Sequence, residues 1–126
     1  MRAVLDSSAL LALLLDEPGA DQLNHPTPYW HLSTVNYAEV MSRLLQLGVS
    51  ASRGAEIIHQ TVSEIVPFSE LHANRTAEWR EKTKSFGLSL GDRACLALAH
   101  EAALPVYTAD RIWRDLPLPL EVRVIR

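Results

Sequence analysis

Four acidic side chains, Asp6, Glu39, Asp92 and Asp110, are spaced along this chain in a way that could do chemistry. Asp6 closes the apolar run Ala3-Val4-Leu5, and Asp110 comes two residues after Val106-Tyr107-Thr108. Both runs have the composition of short buried strands, and acids are rarely buried without a partner. Several carboxylates held close together repel, which raises at least one pKa strongly. A divalent cation reverses that repulsion, and an oxygen-only ligand set suits Mg²⁺ or Mn²⁺. Such an ion lowers the pKa of a bound water enough to supply hydroxide near neutral pH. A second ion about 3.5–4 Å away would stabilise a leaving oxygen. Phosphate brought to the metals would neutralise the remaining charge, and no side-chain nucleophile is required.

Each acid alone also has a plainer reading. Asp6 fits a helix cap, and Ser89-x-x-Asp92 fits a capping box. Asp110 fits a cap for a turn over Arg111–Asp115, and Glu39 fits a solvated helix face. The informative feature is the conjunction, which depends on the elements that carry the four residues.

Hydrophobic periodicity and capping residues predict those elements. A strand over residues 3–5 leads into a helix over about 8–15, stopped by Pro18-Gly19. A short helix over 19–24 and a strand over 29–32 follow. Ser33-Thr34 caps a helix over about 35–47, with Val35, Ala38, Val40, Met41, Leu44 and Leu45 as its apolar stripe. Next come a helix over 51–62, a strand over 64–68 and one long helix from Ser69 to about Phe86, closed by Gly87. Ser89 caps a helix reaching about Ala103, and strands over 106–108 and 121–125 complete the chain. This alternation predicts an α/β fold with a mostly parallel sheet covered by helices on both faces.

In such folds sites form beyond the carboxyl ends of the strands, near the switch in strand order. Asp6 and Asp110 follow strands, and Glu39 lies in the second turn of a helix that follows a strand, so these three can meet there. Asp92 lies in the first turn of a helix that precedes a strand. Its turn has to bend over the site, which Gly87 and Gly91 permit.

The totals set bounds on this reading. A length of 126 residues fits one domain spanning 1–126, and 48% hydrophobic residues supply a core that a disordered chain lacks. The single cysteine, Cys95, allows no internal disulfide and no zinc cluster; its apolar helical surroundings mark it as a core residue in a reducing setting. The longest apolar run, residues 9–15, is far below the roughly 18 residues of a membrane span, and no signal-peptide cleavage pattern follows it. The expectation is a soluble, cytoplasmic protein. A net charge of −3 argues against a simple nucleic-acid binder. If metal neutralises four of the fifteen acids, the remaining eleven leave a balance of +1 against twelve basic residues.

The stretches around the four acids are AVLDSSALLALL, STVNYAEV, LSLGDRACLALA and VYTADRIW. In order and spacing they resemble the four motifs of PIN-domain ribonucleases, most closely the VapC-type toxins of bacterial toxin–antitoxin modules. The resemblance covers essentially the whole chain. It implies a PIN-like three-layer sandwich around a parallel sheet of four or five strands. It also implies Mg²⁺- or Mn²⁺-dependent endonucleolytic cleavage of RNA, a homodimer, and a small antitoxin protein that blocks the site. Asp6, Glu39, Asp92 and Asp110 are then the catalytic and metal-binding acids.

Further residues take supporting roles under that resemblance. Ser8 and Thr108 match small hydroxyl positions near the family's site, where they would orient a water or a carboxylate; otherwise they are a cap and an ordinary strand residue. Asn36 shares a helix face with Glu39 and could bond Asp6 or the substrate, or serve as a helix cap. Arg93 could contact phosphate or simply face solvent. Arg111 and Arg114 follow Asp110 and are better placed to meet RNA phosphate, while Trp113 is expected to pack the fourth motif against the sheet rather than stack on a base. The basic residues Arg75, Arg80, Lys82 and Lys84 are interspersed with Glu78 and Glu81 and read as a solvated face. The five histidines show no metal-ligand or general-base spacing.

Two other readings compete. A catalytically silent PIN-like module would bind RNA or a protein only, and the intact acids count against it. A phosphatase of the haloacid dehalogenase type also begins with a strand-end aspartate. It needs a second aspartate two residues on, where this chain has Ser8.

Overall fold

The computed structural model describes residues 1–126. Its strands are β1 (Arg2–Leu5), β2 (Tyr29–Ser33), β3 (Glu64–Val66), β4 (Val106–Thr108) and β5 (Val122–Val124). Its helices are α1 (Ser7–Leu15), α2 (Thr34–Gln46), α3 (Ala51–Thr61), α4 (Glu70–Glu78), α5 (Arg80–Thr83) and α6 (Leu90–Ala102). Short 3-10 turns occupy Ala20–Leu23, Lys84–Phe86 and Arg111–Asp115. The five strands form one sheet in the order β3-β2-β1-β4-β5, and every neighbouring pair is parallel.

The period of two along each strand divides the core into two layers. Ala3 and Leu5 of β1, Trp30 and Leu32 of β2, and Tyr107 of β4 pack with α1, α2 and α3 through Leu10, Val40, Leu44 and Ile58. Val4 and Val106 point to the opposite face, where Cys95, Leu96, Ala99, Trp79 and Trp113 cover them. Helices therefore flank both faces of an α/β three-layer sandwich. Each fully buried Leu or Val contributes about 1.5–3 kcal/mol relative to exposure.

The expected helix over 19–24 is a 3-10 turn over Ala20–Leu23, and three further elements differ from the sequence-based expectation in extent. The third strand stops at Val66 because Pro67 has no N–H for the ladder. The last strand is the core, 122–124, of the expected segment. The long helix expected to reach Phe86 is broken after Glu78, at Trp79, into α4, α5 and a 3-10 turn. No glycine or proline marks that break. Trp79 is 3% exposed and Thr83 1%, and Thr83 Oγ1 donates back to the Trp79 carbonyl at 2.8 Å. Burying both side chains takes precedence over continuing the helix.

Strand order places the functional edge. From β1 the chain moves to β2 and β3 on one side, then returns to β4 and β5 on the other. The switch point lies between β1 and β4, paired through Leu5 and Tyr107. The three-residue connection 103–105 joins α6 to β4, so α6 runs antiparallel to the strand. Its first turn therefore lies at the carboxyl edge of the sheet, with no special bend over the site.

Candidate active site

Asp6 is the deepest of the four acids, 3% exposed at the end of β1. It caps α1, accepting from the Ala9 N–H at 2.7 Å, so the cap reading and the site reading hold together. Ser8 Oγ lies 2.8 and 2.9 Å from its two carboxylate oxygens, and Thr108 Oγ1 donates to Oδ2 at 2.6 Å. Despite these donors, burial pushes the Asp6 pKa from the ordinary 3.8 to about 6, and the charge of Asp92 adds to the rise.

Thr108 ties the first acid to the fourth. Its hydroxyl also accepts from the Asp110 N–H at 3.0 Å, while Ser8 Oγ accepts from the Ala109 N–H at 2.9 Å. Ser8 and Thr108 thus fix the β1 and β4 ends against each other. Asp110 itself is exposed and caps the turn that follows, with Oδ1 accepting from the Ile112 N–H at 3.0 Å. Trp113, 1% exposed, packs that turn against the sheet.

Asp92 is half-buried in the first turn of α6. It completes a capping box, accepting from the Ser89 N–H at 3.0 Å while its own N–H donates to Ser89 Oγ. Burial raises its pKa, and the charges of Glu39 and Asp110 raise it further. Glu39, exposed on α2, accepts from Ser7 Oγ at 2.5 Å and from Asn36 Nδ2 at 2.9 Å. The charges of Asp6, Asp92 and Glu39 also raise the pKa of Cys95, which burial has already pushed well up. Cys95 is a core thiol, fully buried beneath the site, with Sγ 3.7 Å from the Leu5 carbonyl.

Two supporting residues depart from expectation. Asn36 bonds Glu39 and the Gly91 carbonyl rather than Asp6, which accepts instead from Ala9, Ser8 and Thr108. Arg93 does not point a free guanidinium at the site: its NH1 donates to the Thr76 carbonyl of α4 at 2.8 Å. Arg111 is exposed, and its Nε donates to the Arg126 carbonyl at 3.1 Å. Sequence reasoning missed Ser7 and gave Gly91 only a bending role, whereas the glycine makes room for the Glu39 carboxylate. The signal for Ser7 was its place beside Asp6, on the first residue of a helix.

No three Asp, Glu, His or Cys side chains are already closed into a metal-ligand group. The donor chemistry nevertheless fits a hard divalent cation. Glu39, Asp92 and Asp110 each commit one carboxylate oxygen to a protein donor and leave the other free. The raised pKa values of Asp6 and Asp92 mark charge that a cation would compensate.

A sequence profile of the PIN domain matches residues 3–118. The chain belongs to the PIN-domain family. Solved structures repeat the PIN fold seen here. A toxin–antitoxin complex from Klebsiella pneumoniae superposes with a TM-score of 0.76 at 21% identity, over 98% of each chain. Mycobacterium tuberculosis VapC20, described as a sarcin–ricin loop cleaving toxin, gives 0.77 at 19% identity over 96% of this chain and 98% of its own. Rickettsia felis VapBC2, bound to a DNA fragment from its promoter, gives 0.74 at 15% identity over 98% of each. At these identities the likeness shows a shared fold. No curated protein sequence matches the chain.

Proposed function

We propose that this PIN-domain chain is a divalent-metal-dependent endoribonuclease, the toxin of a toxin–antitoxin pair, acting as one nuclease unit over residues 1–126. The observation that carries the reading is the graded acid cluster at the β1/β4 switch point. Asp6 is buried, Asp92 half-buried, and Glu39 and Asp110 line the rim, their charges felt along the cluster. Structures of VapC20 and of VapBC complexes, at nearly full mutual coverage, support RNA as substrate and an antitoxin protein as partner. A homodimer accompanies this reading. No helix is long and apolar enough to cross a membrane, which fits action on cytoplasmic RNA.

Asp6, Asp92, Glu39 and Asp110 would hold Mg²⁺ or Mn²⁺. When bound, such an ion supplies Lewis-acid activation of the phosphodiester and of water. The protein's own work is positional. Ser8 and Thr108 orient the Asp6 carboxylate from two sides, and Thr108 holds the Asp110 backbone beside it. Arg111 and Arg114, exposed on the turn after β4, stand where an RNA phosphate approaches.

Incubation with total RNA and Mg²⁺ or Mn²⁺ tests the proposal. Cleavage should cease with EDTA, return with added cation, and be absent in Asp6→Asn that retains its fold. Cleavage indifferent to EDTA would contradict it.

A further inference from the structure

Glu39 is exposed, yet its carboxylate is held by two donors, one on α1 and one on α2. Ser7 of α1 donates to Oε1 at 2.5 Å, and Asn36 of α2 donates to the same oxygen at 2.9 Å. Asn36 is 1% exposed, and its Nδ2 also donates to the Gly91 carbonyl of α6 at 3.1 Å. Gly91 offers no side chain, and a Cβ there would lie 2.6 Å from Glu39 Cδ and 2.6 Å from Oε1. A free glutamate on a helix surface would sample many rotamers. Here two donors occupy Oε1, and the glycine leaves room for the carboxylate against α6, one residue from Asp92.

We infer that Ser7 and Asn36 are positioning residues that hold Glu39 in one orientation relative to Asp92 and leave Oε2 as its oxygen for the cation. This rests on the metallonuclease reading above. Neither residue touches substrate; both act through Glu39. Outer groups of this kind typically carry about 10- to 100-fold in metal affinity or activity.

The test uses the full chain as wild type, Ser7→Ala, Ser7→Thr, Glu39→Gln and the Ser7→Ala/Glu39→Gln pair. Two quantities are read: the Mn²⁺ concentration giving half-maximal thermal stabilisation, and kcat and KM on an RNA oligonucleotide. Ser7→Ala should raise the Mn²⁺ midpoint about 10-fold and lower kcat at least about 10-fold, with KM within about twofold. Ser7→Thr, which keeps the hydroxyl, should restore both. In the Glu39→Gln background Ser7→Ala should add less than about twofold, because its effect passes through Glu39. Asn36→Ser should move the Mn²⁺ midpoint in the same direction.

A Ser7→Ala protein with wild-type midpoint and kcat overturns the inference while leaving the nuclease reading intact. Full additivity with Glu39→Gln overturns it as well. A wild type with no Mn²⁺ response overturns the nuclease reading and the inference together.

Discussion

Gly91 and Glu39 share one space: the carboxylate of the α2 residue lies where a side chain on the α6 residue would stand. Gly91 is helical with ordinary φ, so an alanine there gains up to about 1 kcal/mol of helix propensity. The clash falls on the end of a flexible side chain, which can move aside. Gly91→Ala should therefore fold with a Tm close to wild type, yet displace Glu39 from Ser7 and Asn36. A misplacement of about 1 Å can cost on the order of 100-fold in rate. Thermal melts beside RNA cleavage assays check this. Full activity in Gly91→Ala would show that the contact has no functional weight.

Burial of Asp6 predicts a pH dependence whose sign follows from linkage. Its pKa in the fold is about 6, above the ordinary 3.8, so the folded chain holds the proton more tightly than the unfolded one. Without cation, stability is then greatest while Asp6 is protonated and falls as pH rises from about 4 through about 6. The full effect reaches about 3 kcal/mol, of which about 2 kcal/mol falls between pH ~4.5 and ~7.5. Asp6→Asn removes this component. Urea unfolding of the metal-free wild type and variant at those two pH values should show the difference. Parallel pH profiles would contradict it.

Arg93 and Arg111 should separate by role. Arg93 holds the Thr76 carbonyl, linking α6 to α4, so Arg93→Ala should cost about 1–3 kcal/mol of stability with KM for RNA little changed. Arg111 is exposed beside Asp110, so Arg111→Ala should raise KM and flatten its salt dependence with little change in Tm. Melting curves and KM at two ionic strengths distinguish the pair. A raised KM in Arg93→Ala would restore it as a phosphate contact.

Much of this arrangement was legible in residue types. Short apolar runs in β1 and β4, and Asp6, Ser33, Ser69 and Ser89 at helix starts, located the strands and caps that present Asp6 and Asp110. What was hidden depended on contacts between distant segments. The turn at Trp79 carries no local breaker and follows from burying Trp79 and Thr83. Asn36 was correctly placed on the Glu39 face, but its second partner, the Gly91 carbonyl, depends on how α2 packs against α6. Arg93 sits beside Asp92 in sequence yet turns toward α4, a choice only helix packing determines. The bend expected at Asp92 is not needed, because α6 enters β4 through a three-residue connection and so starts at the carboxyl edge of the sheet.

Every role given to the four carboxylates requires that they bind a cation. Calorimetric titration of Mn²⁺ into wild type, Asp6→Asn, Glu39→Gln, Asp92→Asn and Asp110→Asn, at about pH 7.5, measures it. The predicted result is saturable binding to wild type that weakens at least about 10-fold in Asp6→Asn and Asp92→Asn, and measurably in the other two. A wild type that binds no Mn²⁺, or four variants that bind it equally well, would contradict the account.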